Sequence, residues 1–216
     1  GVHILGTTAN RISRVWVKNN IFDGCSRFGA CVEQGGRFVW IVDNQITNCE
    51  TDIALVPTAA VANEGIQIRN NQILHTGAVR HAIRLEGNAA AVSHKIIVAS
   101  NIVIGGFLTA SGLLYAVIDK NIVTSGSFAS ADAVCKISGD VSLSVFTGNV
   151  LARDAGASVG PCLSLERAGG VSPTYTRIGH NLFANDRAGG NFVTVVDTIR
   201  WSIGSNICRS ADGGAG

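Results

Sequence analysis

The chain has 216 residues, of which 46% are hydrophobic, 26 are Gly and only 15% are charged, and its formal net charge is +2. A balance so close to neutral, with no run of Lys or Arg, gives no electrostatic basis for binding nucleic acid or inserting at an anionic membrane. The length suits one domain.

The opening residues GVHILG read as a strand and carry neither the charged nor the apolar region of a signal peptide. Behind them come VWVKNNIFDGC (15–25) and VWIVDNQITNC (39–49), one pattern written twice, 24 positions apart. The pattern returns along the chain on an Asn that follows an apolar-alternating run: Asn20, Asn44, Asn71, Asn101, Asn121, Asn149, Asn181 and Asn206. The intervals are 24, 27, 30, 20, 28, 32 and 25 residues, a mean of 26.6 ((206 − 20)/7). Three positions before these anchors stand Val17, Ile41, Ile68, Val98, Ile118, Phe146, Ile178 and Ile203. Two positions after them stand Phe22, Ile46, Ile73, Val103, Val123, Leu151, Phe183 and Cys208. Neither row holds a charge, and both are expected to be buried.

Between anchors a second alternating run recurs, as GACVEQG, TDIALVP, HAIRLEG, DAVCKIS, CLSLERA and NFVTVVD. Period-two alternation bounded by turn residues predicts strands, and no segment carries a sustained helical stripe. A unit of this size cannot close its own core, whereas stacked units bury a continuous apolar column. Stacking sets equivalent residues about 4.8 Å apart. An Asn at the same bend of every coil then passes amide hydrogen bonds to its neighbours and accepts a tight turn, which is a structural role.

The repeat in IRNNQIL, VASNIVI, VIDKNIV and IGHNLFA resembles that of the right-handed parallel β-helix, the pectate-lyase-like fold of polysaccharide lyases, hydrolases, epimerases and bacteriophage tailspikes. The resemblance covers nearly the whole chain and implies an all-β, single-stranded parallel solenoid of about eight coils, with residues 1–208 in the solenoid and 209–216 as a frayed tail or linker. It specifies the fold far better than the chemistry. An exposed apolar cross-section at the first coil leads to the expectation of a longer protein, with a further coil stacked before Gly1.

Of the six cysteines, Cys25 and Cys49 each lie five residues past an anchor. They read as two stacked thiols, with a disulfide as the geometric alternative. No Cys and His set shows linear metal-ligand spacing, so no metal site is expected, and calcium enters only if the protein is a lyase.

Four positions before the anchors, on the outer face, stand Trp16, Trp40, Gln67, Ile97, Val117, Val145, Arg177 and Ser202. Trp16 over Trp40 would offer an aromatic platform to sugar rings. The same apolar stripe would equally serve a subunit contact, as in the trimers that the resemblance to tailspikes implies. On the second run, alignment places Glu33, Glu86 and Glu166 at equivalent positions, with Arg84 and His81 nearby. Two carboxylates are what a glycosidase needs, and Glu33 and Glu86, two coils apart at about 9.6 Å, come near the inverting separation. A base and cation beside acidic residues is what a lyase needs, which points to Arg84, Glu86 and Asp52, with His81 as a substrate contact. The connectors GNAAAVSH, PTAAVANE and RAGGVSPT are short and poor in polar side chains. Three function classes fit. The first is a virion tailspike that recognises a bacterial surface polysaccharide, with or without depolymerising it. The second is a secreted lyase, hydrolase or epimerase. The third is a non-catalytic adhesin or spacer.

Overall fold

The computed structural model describes residues 1–7, 10–57, 61–76, 81–87, 91–125, 132–154, 160–168, 173–186, 190–196, 198 and 200–210. Alternation of apolar and polar residues in short runs, broken at each corner by residues that accept a left-handed backbone, gives three parallel sheets wound into a solenoid. The first sheet stacks Val2–Leu5, Phe28–Glu33, Thr51–Val56, His81–Leu85, Phe107–Leu114, Cys135–Ser142, Leu163–Glu166 and Val193–Val196, with the two-residue strand Ser93–His94 paired to Phe107–Leu114. The second runs from Ser13–Lys18 to Ser202–Gly204 and the third from Ile21–Asp23 to Ile207–Ser210, each of eight strands. Eight strands per sheet make seven turns between first and last, and no helix occurs among the described residues.

The register confirms the two inward columns. Val17, Ile41, Ile68, Val98, Ile118, Phe146, Ile178 and Ile203 pair in succession. Phe22 through Cys208 do the same in the third sheet. All are buried except Ile203 and Cys208, which the sequence pattern assigned to the core and which have a stacking partner on one side only.

The anchors form an unbroken ladder. The Nδ2 of each Asn donates to Oδ1 of the next, from Asn20 through to Asn206. The backbone N–H of each also donates to that Oδ1. The residue before each anchor, among them Asn19, Asp43, Asn70, Ser100 and Lys120, has φ between 54° and 64°. The corner conformation strips the anchor N–H of a sheet partner, and the neighbouring amide supplies one, as a buried donor requires.

Cys25 and Cys49 are free thiols, as are the other four cysteines. Burial pushes the Cys49 and Cys162 thiols up to about 12. Arg209 and Ser210, expected in the tail, belong to the last strand, while 211–216 lie outside the described residues. So do parts of the three short connectors, at 58–60, 88–90 and 169–172.

Candidate functional site

In a solenoid the core rows are committed to packing, so chemistry falls to outward side chains. On the first sheet two outward rows run parallel to the axis. One row places His3, Cys31, Ala54, Arg84, Thr109, Lys136 and Ser164 over one another. The other continues Leu5, Glu33 and Val56 through Glu86 to Ser111, Ser138 and Glu166. Glu86 is held in line by its N–H on the Leu55 carbonyl at 2.7 Å.

Where these rows cross the middle coils they border a cavity of about 410 Å³. Its polar lining comes from His81, Arg84, Glu86, Thr109, Ser111, Asp132, Lys136 and Ser138. Arg84 Nε reaches Glu86 Oε1 at 2.7 Å, and Lys136 Nζ reaches Glu166 Oε2 at 2.7 Å. The hydroxyls of Thr109, Ser111 and Ser138 lie in the coils between these ion pairs. Just past Glu86 the backbones approach so closely that a Cβ on Gly87 would overlap the Gly112 carbonyl. Gly112 itself has φ of 59°. Glycine at both positions is what lets these two backbones come so close.

His81 is half-buried and meets Phe107 edge-on, with ring centroids 5.7 Å apart. Burial, then the Arg84 charge, holds its imidazole below the ordinary pKa, so it is neutral at pH 7. Its Nδ1 is buried without a hydrogen-bond partner among the described residues. Burial pushes the Glu166 carboxyl up, but hydrogen bonds from Lys136 and Ser164 outweigh it and leave the group below its usual range. The cavity thus combines two ion-paired cations, a neutral imidazole and a floor of hydroxyls.

His81, Arg84 and Glu86 come together as their alignment predicts. Glu33 lies on the same face with Val56 between it and Glu86, but its carboxylate is engaged by His3, with Nε2 to Oε2 at 2.7 Å. Asp52 does not join the group. It is fully buried, and its Oδ2 lies 2.5 Å from Nε2 of buried His75. Burial raises its pKa, with the His75 contact opposing. The strand opposite carries Gly29 between Phe28 and Ala30, which face Thr51 and Ile53, so Asp52 has no side chain across from it on that strand. Trp16 and Trp40 stack as expected, with centroids 4.5 Å apart and planes 6° from parallel. They sit on the second sheet, away from the cavity.

Lys136, Asp132 and the hydroxyl column were not singled out in the sequence. The signal existed for Lys136 and Ser138: DAVCKIS aligned on Ile137 puts them level with Arg84 and Glu86. Asp132 gives no such signal, since it precedes its strand. Among the described residues, one group of His, Cys, Asp and Glu side chains has ligand atoms within 4.8 Å of each other: His3, Cys31 and Glu33.

The family model described as a right handed beta helix region matches residues 1–128. None of the curated proteins matches the chain. Among solved structures the chain is similar to the native-protein crystal structure of a GH136 lacto-N-biosidase from Eubacterium ramulus. Identity is 15% over 92% of this chain and 45% of that one, with a TM-score of 0.32. The chain therefore spans less than half the length of that structure.

Proposed function

Because the chain belongs to the right-handed β-helix family, whose interior is filled and whose outer faces carry any chemistry, we propose that the polar face of its first sheet binds and depolymerises an acidic polysaccharide. The observation that carries this reading is the cavity in which Arg84 and Lys136 flank hydroxyls beside the neutral His81, whose Nδ1 has no hydrogen-bond partner among the described residues. A glycan lying along the axis meets the same face coil after coil, and a uronate carboxylate fits between the two cations. Neutralising that carboxylate acidifies the adjacent C–H. His81 takes the proton, the electron pair forms a C=C bond as the glycosidic C–O bond breaks, and the departing oxygen takes a proton from water. Glu86 holds Arg84 in place for this role, and Glu33 extends the polar face toward the first coil.

The test is incubation of the protein with uronate-containing and neutral polysaccharides, following both chain length and the ultraviolet absorbance of an unsaturated uronate. Shortening with that absorbance is expected, reduced at least about 100-fold in His81→Gln. New reducing ends without unsaturation would replace elimination by hydrolysis, and full activity in His81→Gln would move the site elsewhere.

A second reading concerns assembly. Trp16 and Val117 are exposed on the second sheet, and Trp40, Ile97 and Val145 are half-buried in line with them. This outward stripe supports a tailspike-like homotrimer, at a virion tail or otherwise outside the cell, in which the stripe packs against a neighbouring subunit.

A further inference from the structure

We infer that His3, Cys31 and Glu33 form a three-ligand zinc site at the first coils of the polar face, outside the cavity lined by His81, Arg84 and Lys136. In sequence these residues show no metal spacing, for 28 positions part His3 from Cys31 (31 − 3). The solenoid register removes that distance: His3 lies directly over Cys31, and Glu33 follows two residues later on the same face. The imidazole nitrogen, the thiol sulfur and a carboxylate oxygen all fall within 4.8 Å of one another.

A tetrahedral zinc with bonds of about 2.0–2.3 Å holds its ligand atoms about 3.3–3.6 Å apart, so small side-chain movements suffice. His3 Nε2 and Glu33 Oε2, now 2.7 Å apart, would open slightly to admit the ion. Burial pushes the Cys31 thiol up to about 12, so zinc must displace its proton on binding; thiolate, carboxylate and neutral imidazole then sum to −2, which neutralises the cation. Sulfur with nitrogen selects zinc over calcium, which takes six to eight oxygens, and over magnesium. Below the site the next coil presents Ala54 under Cys31 and Val56 under Glu33, so no polar side chain there competes for the ion. Cys31 is fully buried while His3 is exposed, which gives the metal a dry inner side and an outer side open to solvent. Three protein ligands leave a fourth position for water, the pattern of zinc sites that meet a substrate.

The experiment uses the 216-residue chain carrying Cys208→Ser, which removes the exposed thiol. Zinc titration by calorimetry is expected to show one equivalent bound, and cobalt(II) is expected to give a tetrahedral spectrum with a thiolate-to-metal charge-transfer band. Cys31→Ser should abolish that band, and Glu33→Gln, at a half-buried position, should weaken zinc at least about 10-fold. Circular dichroism of the metal-free variants separates lost binding from lost folding. Zinc affinity unchanged in both folded variants, or a cobalt spectrum lacking the thiolate band, overturns the assignment.

Discussion

Replacing Asn101 by Ala perturbs the ladder at its centre, and the cost follows from which partners are left behind. The Asn101 Oδ1 accepts the backbone N–H of Asn71 at 3.0 Å and one Nδ2 hydrogen of Asn71 at 2.9 Å. Both donors are buried, and truncation leaves both unpaired. Each buried unsatisfied N–H costs about 1–3 kcal/mol, so losing two partners should destabilise Asn101→Ala by about 2–6 kcal/mol. Asn20 supplies the control. Its side chain donates to Asn44 Oδ1 and the Lys18 carbonyl but accepts nothing from the ladder, and Asn44 Oδ1 keeps the Asn20 backbone N–H. Asn20→Ala should therefore cost about 1 kcal/mol. Urea unfolding followed by circular dichroism compares the midpoints and slopes, and the slope shows whether the stack still melts as one unit. Equal losses in the two variants would refute the view that the ladder satisfies backbone donors.

Two other outcomes follow from the surface. Val117→Asp should release monomers, with dissociation at least roughly thirtyfold easier if each buried carboxylate costs about 2 kcal/mol. Light scattering reads this, and an unchanged oligomer with an unchanged melting curve would remove the stripe from the contact. Because the His81 pKa is lowered in the folded state, the unfolded chain binds more protons as pH falls below about 6.5. Stability should be lost through that window, until pH passes below the folded pKa, and the loss should be smaller in His81→Gln. The same titration should switch off depolymerisation on the acid side only.

The solenoid was legible because its signal is written in every coil: an Asn and two apolar positions must recur wherever identical bends stack. The outer face carries no such repetition. Arg84, Lys136 and Glu86 are each placed by the register, and each differs from its neighbours above and below. Asp52 shows where alternation misleads, since a residue in an apparently outward strand position is buried against His75. His3, Cys31 and Glu33 show the opposite failure, for distant residues become neighbours once the offset between coils is known.

The amide ladder is also directional. In every step Oδ1 faces the earlier coil and Nδ2 the later one, and the backbone N–H bonds to Oδ1 fix that sense. The column is a vector: at Asn20 it offers an acceptor, and at Asn206 it offers an Nδ2 without a partner among the described residues. Two such columns brought together would match in register only tail to head, donor on acceptor. Head-to-head contact would oppose oxygen to oxygen, so the row that holds the coils together also discriminates against joining two solenoids in the wrong polarity.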